Sequence, residues 1–504
     1  MRARPVHSCR SAILAVLLTI GILGILAAHL DADPVESASV RVGRYANDAS
    51  ARARHANYLA IRRGTVFGIP PGAYENAVTS MQEMECRRGM ASIVPLASPG
   101  WTALGPLPVT NEVPIFGTDP IGGPLASATG KVTAIAADPT TAGRLFIGTS
   151  GGGVWMSTNG GTSFAPIFDA QPTLAIGAIA LDPTTNPPTI YVGTGEANNT
   201  VDSYFGLGMF ISTDLGNTWT RNTGLGAFTN LSFSRIAIDT SRTPRVIFAA
   251  LSTGSSSNRA GNNFINSNIV NNGLWKSPDA GATWTQVPFT SQLACPSFGG
   301  FCPAEDVAID PFFPANVFVA IYQFGVFASN NGGSSWHALS FPGIDNTRIG
   351  RAGVATRNGI VYVMLGATDG IEYLGFFKST NGGNSFTPMQ VPVGNLPTST
   401  IDGTDPSNFS AADYDQALAI DPSDAGGATV IFGGVGIYRS TDSGARWTFI
   451  GQNGGVHADQ HALAMDPFNA GRFFAGNDGG VYSFNPAWAG LTGSFGATGE
   501  TRSL

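Results

Sequence analysis

The chain has 504 residues, ample for a large core, yet only 12% of them are charged, against 65 Gly and 32 Pro. The formal net charge is −7, and Lys131, Lys276 and Lys378 are the only lysines. This balance suits a turn-rich β protein with a neutral surface, and an acidic chain with scattered arginines argues against nucleic acid as a partner.

The chain opens with Arg2, Arg4 and Arg10, followed by an apolar run over 12–28. Charged n-region and apolar h-region together read as a signal peptide over 1–30, which predicts export to the cell envelope, the periplasm or the medium. The run is also close to the length that spans a bilayer, so an uncleaved anchor stays open; it would be the chain's one membrane attachment. Over 31–97, stretches 49–63 and 74–88 are rich in Ala, Arg, Glu and Met and flank Ile69-Pro70-Pro71-Gly72. They predict a short, partly helical linker or pre-domain.

From about residue 98 a repeat takes over. Six octapeptides share the form Ser-x-Asp/Asn-x-Gly-x-Ser/Thr-Trp/Phe: 157–164, 212–219, 277–284, 329–336, 379–386 and 440–447, with Arg446 departing at the seventh position. Their start-to-start spacings are 55, 65, 52, 50 and 61 residues, the period of an array of supersecondary units. Each lies between two strand-like runs and so reads as a hairpin turn. The third-position residues Asn159, Asp214, Asp279, Asn331, Asn381 and Asp442 are expected to accept hydrogen bonds from their own turns, a structural role. The Gly at position five supplies a φ > 0 site.

Each unit reads as strand, Asp-Pro turn, strand, loop, strand, octapeptide, strand, which is a four-stranded propeller blade. Asp-Pro recurs at Asp138, Asp182, Asp310, Asp421 and Asp466; the third unit has Asp239-Thr240 and the fifth Arg357-Asn358-Gly359 instead. After the sixth octapeptide another inner-strand run follows, giving a seventh blade without the motif. Trp101-Thr102-Ala103-Leu104 looks like a fourth strand with no blade in front of it. The expectation is an all-β, seven-bladed β-propeller over 98–490, closed by that strand or by one around Trp488, with a C-terminal tail over 491–504 and a monomeric state.

Cys295 and Cys302 lie in CPSFGGFC, and export permits a disulfide between them. Antiparallel strand order puts the Asp-Pro turns and octapeptides on one rim and the variable loops on the other, where binding is usually built. On that loop rim His457, Asp459 and His461 occupy i, i+2, i+4 of an extended segment, a spacing that places them on one face. They could hold acid–base groups or ligate a divalent metal, the one cofactor these residues suggest. Asp478, after the second strand of blade seven, joins Asp459 as the candidate catalytic pair. Asp413 and Asp415 approach blade six, Glu196 follows the second strand of blade two, and Arg348 and Arg351 precede blade five; these are the candidate binding residues.

The octapeptide resembles the Asp-box (BNR) motif of sialidases, sortilin-type ectodomains, xyloglucanases and many exported bacterial proteins. In texture the chain is most similar to the exported bacterial group described as sortilin-like or glycosyl-hydrolase-like. The resemblance implies the propeller fold rather than one activity. The Arg-(Ile/Leu)-Pro signature of sialidases is absent. The first-blade Arg-Thr-Asp-x-Gly-Gly of xyloglucanases is similar to Gly148-Thr149-Ser150-Gly151-Gly152, with Ser150 in place of the Asp, and one propeller cannot form their two-propeller cleft. Two functions stay open: a binding module for a glycan, peptide or protein, and a glycoside hydrolase with paired carboxylates on the loop rim, which would place them about 5–5.5 Å or about 6.5–9.5 Å apart.

Overall fold

Alternating runs of Val, Ile, Phe and Ala punctuated by Gly and Asp-Pro fold as short antiparallel strands. A computed structural model describes residues 130–198, 203–253, 269–288, 302–368, 370, 372–392, 412, 414, 416–450, 456–457 and 459–485. Within them, six sheets have four strands in chain order and a seventh has three. The first strands of successive blades are Val132–Ala137, Ile176–Asp182, Ser232–Asp239, Ala304–Ile309, Ile349–Arg357, Ala417–Ile420 and Gln460–Met465. Each neighbours the next, and the last neighbours the first, so they form a ring around a central axis. This is a seven-bladed β-propeller.

The core explains the closure. Seven apolar clusters form, and each spans one junction between adjacent blades. Val132, Leu145 and Ile147 of blade one pack with Phe474 and Val481 of blade seven. Burial therefore lies between sheets, as expected where every blade exposes two apolar faces and only its neighbours can cover them. Residues 101–104 and Trp488, the two candidates for the outer strand of blade seven, lie outside the described residues.

The octapeptides build one rim. In each, the buried Ser at position one accepts a hydrogen bond from the Gly N–H at position five and donates to the position-three side chain; for Ser277 these contacts are 2.8 Å from Gly281 N and 2.8 Å to Asp279 Oδ1. Asp279 in turn accepts from Thr283 N at 2.8 Å and from Thr283 Oγ1 at 2.6 Å. Hydrogen bonds to Thr283 hold its carboxyl below the ordinary value, and Asp214 has the same arrangement with Thr218. Gly281 has φ 91°, as the sequence requires; the preceding residue is also left-handed, with φ 58° at Ala280, 59° at Leu215 and 65° at Ser443.

The Asp-Pro aspartates cap their own turns and tie blades together. Asp310 accepts from Phe312 N and also from Asn358 N and Gly359 N of the next blade. Lys276 and Lys378 cross to the following octapeptide, at Gly332 O and Ser443 Oγ. Arg472 of blade seven reaches Gly160 O of blade one, fastening the ring. Cys302 is buried and disulfide-bonded, while Cys295 lies outside the described residues. The predicted signal and linker segments also lie outside them; among the described residues no helix is long and apolar enough to cross a membrane.

Candidate functional site

The loop-rim end of the central channel is built by one repeated backbone irregularity. Pairing of first and second strands skips a residue in six blades: Thr133, Gly177, Ser234, Glu305, Gly350 with Arg351, and His461 have no partner across the ladder. A bulge of this kind re-aims a side chain out of the sheet alternation. Thr133, Gly177, Ser234, Glu305, Arg351 and His461 all line one cavity on the axis. Gln416, immediately before the first strand of blade six, completes a set of one residue per blade.

Gly177 is required by its surroundings. A Cβ there would lie 2.1 Å from Phe233 O and 2.2 Å from Gly195 O, so no side chain fits. Thr133 and Ser234 on either side are small, whereas blades four to seven contribute Glu305, Arg351, Gln416 and His461. The ring is thus filled from one side and open on the other.

Above this ring the loops of blades six, seven, one and two bring five polar side chains together. His461 Nε2 lies 2.7 Å from Asp478 Oδ1. Tyr414 Oη donates to both carboxylate oxygens of Asp478, at 2.9 and 3.0 Å. The Tyr414 and His461 rings meet edge to face at 4.7 Å, and Lys131 Nζ lies 5.2 Å from the Tyr414 ring centre. Lys131 also donates to the buried carboxylate of Glu196. Burial pushes the Asp478 carboxyl up, but hydrogen bonds from His461 and Tyr414 and attraction to His461 and Lys131 outweigh it and hold the group below 3.8.

Below the ring, Arg235 Nε donates to Asp306 Oδ1 at 2.9 Å. Asp306 also accepts from Val307 N at 2.9 Å and Val354 N at 3.0 Å. This ion pair joins the neighbouring blades three, four and five beside the axis. Both residues line the loop-rim cavity and also a second cavity of about 250 Å³ toward the turn rim, walled by Val307, Val354, Leu418 and Ile420.

The structure therefore brings together Asp478, His461 and Glu196, and adds Arg351, whose Nη1 donates to Tyr414 O at 2.9 Å and whose Nε lies 3.9 Å from Glu305. Arg348 stands apart, in an exposed pair with Glu372 at 2.6 Å. Asp413 and Asp415 lie outside the described residues. The same-face reading of His457, Asp459 and His461 is corrected: Asp459 has φ 68°, so the segment is not extended and i, i+2 alternation fails there. Asp459 N donates to Val435 O, His457 packs against Gly479, and His461 turns through its bulge to Asp478. Among the described residues no three His, Cys, Asp or Glu side chains are grouped so as to hold a metal ion.

Sequence reasoning missed Lys131, Tyr414, Ser234, Glu305 and Gln416. One signal was present. Each inner run has a residue just ahead of its apolar alternation, and six of the seven are polar and large or hydroxylated: Thr133-Ala-Ile, Ser234-Arg-Ile, Glu305-Asp-Val, Arg351-Ala-Gly, Gln416-Ala-Leu and His461-Ala-Leu.

Fold and site define a seven-bladed propeller with a polar, partly charged mouth on its axis. No protein-family model matches the chain. Over 120 residues, 23% of this chain and 13% of the relative, it is 31% identical to a xyloglucanase of Hypocrea jecorina (strain QM6a). Among solved structures it is similar to the GH74 xyloglucanase from Xanthomonas campestris, with TM-score 0.50 and 17% identity over 71% of this chain and 52% of that one. The GH74 enzyme of Niastella koreensis gives TM-score 0.49 and 20% identity over 71% of this chain and 52% of that one. The chain spans about half the length of these structures, and the likeness to the first is one of fold.

Proposed function

We propose that this protein is an exported glycan-binding propeller whose ligand seats on the loop-rim mouth, against Tyr414, His461, Asp478, Lys131 and Glu196. The observation that carries the reading is convergence: four blades place an aromatic ring, an imidazole, two carboxylates and an ammonium at one end of the axis. An aromatic surface beside fixed donors and acceptors suits a sugar, which has apolar C–H faces and hydroxyl edges. The stretch similar to a xyloglucanase supports a glycan over a peptide. The basic, then apolar, N-terminus and the Asp-box resemblance support export.

Hydrolysis is the second reading, because Asp478 and Glu196 are both drawn to Lys131. A glycosidase needs one carboxyl held protonated near neutral pH. Asp478 is held low, and Glu196 is already engaged by Lys131. The site therefore fits holding a sugar better than protonating a leaving group.

Calorimetric titration of the purified protein with xyloglucan oligosaccharides tests this, alongside an assay for released reducing ends. Saturable binding that Tyr414→Ala and Asp478→Asn abolish, without product release, is the expected result. Release of reducing ends that depends on Asp478 or Glu196 would move the assignment to hydrolysis. No binding at millimolar oligosaccharide would overturn the glycan reading.

A further inference from the structure

The cavity inside the bulge ring lies beneath the mouth, shares His461 with it, and holds three unspent polar atoms. Asn198 Nδ2, Ser234 Oγ and Gln416 Oε1 are buried, line this cavity and have no hydrogen-bond partner among the described residues. Asn198 and Gln416 are each more than nine-tenths buried. Buried amides without partners are costly, so such groups in a folded protein point to something that satisfies them.

The geometry points to an end-on subsite: we propose that this cavity takes one uncharged hydroxyl or hydroxymethyl group at the terminus of a neutral saccharide, inserted along the propeller axis. The inference rests on the glycan reading above and makes it specific. Three observations carry it. The first is chemistry. A hydroxyl both donates and accepts, and the cavity offers an amide donor, an amide acceptor and a hydroxyl. The ion pairs around it are already formed, Lys131 with Glu196, Arg235 with Asp306 and Arg351 with Glu305, and Asp478 is hydrogen-bonded to His461 and Tyr414. A charged ligand group would leave one of these unbalanced.

The second is size. The cavity measures about 30 Å³. Roughly 10–15 Å³ on this measure holds one water, so the space suits about two heavy atoms and not a sugar ring. The third is access. The Arg235–Asp306 pair, anchored on Val307 N and Val354 N, lies at the boundary with the second cavity, and inner-strand residues of the blades line the sides. A polysaccharide lying across the mouth cannot send a backbone unit down to Asn198 and Gln416. A chain end can.

The test uses the full chain, unbranched neutral β-glucan fractions of different length, which have the same two ends at every length, and the oligosaccharides above. The number of protein molecules bound per polysaccharide chain, from analytical ultracentrifugation, is expected to stay constant as chain length grows. Ser234→Val, which narrows the cavity, and Asn198→Ala, which removes its donor without adding bulk, are each expected to weaken oligosaccharide binding by about tenfold or more, with unchanged circular dichroism and melting. An oligosaccharide whose terminal hydroxymethyl is oxidised to a carboxylate is expected to bind at least as poorly. Stoichiometry that rises with chain length, or full-strength binding by both variants while Asp478→Asn still loses it, would overturn end-on insertion and leave the glycan site at the mouth standing. Absence of saccharide binding by the unmodified protein would overturn both.

Discussion

His461 lies on the inner strand of blade seven and Asp478, 17 residues on, in the turn after the second strand, and their side chains meet at 2.7 Å over the channel mouth. The contact exists because the inner strand bulges at His461, which turns the imidazole out of the ladder and under the loop that carries Asp478. Tyr414 of the neighbouring blade completes the carboxylate's partners.

The pH dependence follows in sign. Asp478 has its carboxyl held below the ordinary 3.8 in the folded state. A depressed carboxyl contributes stability that is present above the unfolded value and is lost as pH falls through the folded value. The melting temperature of the unmodified protein should therefore drop more steeply below about pH 4 than that of Asp478→Asn. The comparison isolates this group from Asp182 and Asp424, which are also held low and titrate in both proteins. Parallel curves would mean that the Asp478 contacts do not survive in solution.

The octapeptide serine is the buried centre of its turn. Ser277 is fully buried, and its hydroxyl takes the Gly281 N–H and gives its proton to Asp279. Ser277→Ala leaves that N–H without a partner and should cost about 1–3 kcal/mol in urea unfolding. A loss much below this would mean the turn relaxes to let water in. The same change at Ser440, with the same contacts, should behave alike.

The fourth octapeptide position was not legible as a constraint, because Gly, Leu, Ala and Ser all occur there. Backbone angles show why it matters: Ala280 sits at φ 58°, in the left-handed region that a Cβ disfavours. Its N–H and carbonyl bond Arg245 O and Tyr191 Oη, and both contacts survive removal of the methyl. Ala280→Gly should raise stability by about 0.5–1 kcal/mol, the relief of strain exceeding the added chain entropy. Melting curves that show a loss instead would mean the methyl packs usefully.

The fold was readable because its signal repeats. Six copies of one turn and the Asp-Pro punctuation give blade count and strand order without any single residue mattering. The site was readable only in part. Asp478, Glu196 and Arg351 were reached by counting strands to the loop rim; the first two lie at the channel mouth and Arg351 in the bulge ring beneath it. His461 was reached for the wrong reason, since extended alternation with His457 and Asp459 breaks at the left-handed Asp459. Lys131 and Tyr414 carry no local pattern; their partners are 65 and 64 residues away, at Glu196 and Asp478. Bulges depend on how two strands pair, and a single run such as Phe233-Ser234-Arg235-Ile236 does not announce which residue the ladder will skip.

The last test concerns the pair that sets the charge of the mouth. Glu196 is 2% exposed and Lys131 is 14% exposed at the side chain, so neither has much water to fall back on. Removing one member takes its ion-pair partner from the other in a confined place. Lys131→Met should cost about 3–5 kcal/mol, whereas the double change with Glu196→Gln should recover most of that loss, because a neutral pair no longer has a charge to strand. Unfolding free energies of the two single variants and the double variant form the cycle that measures the coupling. Asp478 gives an independent readout, since Lys131 helps hold its carboxyl low. In Lys131→Met the Asp478 titration, followed by carboxyl-carbon NMR, should move up toward the ordinary carboxylate range. An additive cycle with an unmoved Asp478 would mean that Lys131 faces solvent and that the two carboxylates are not electrostatically joined.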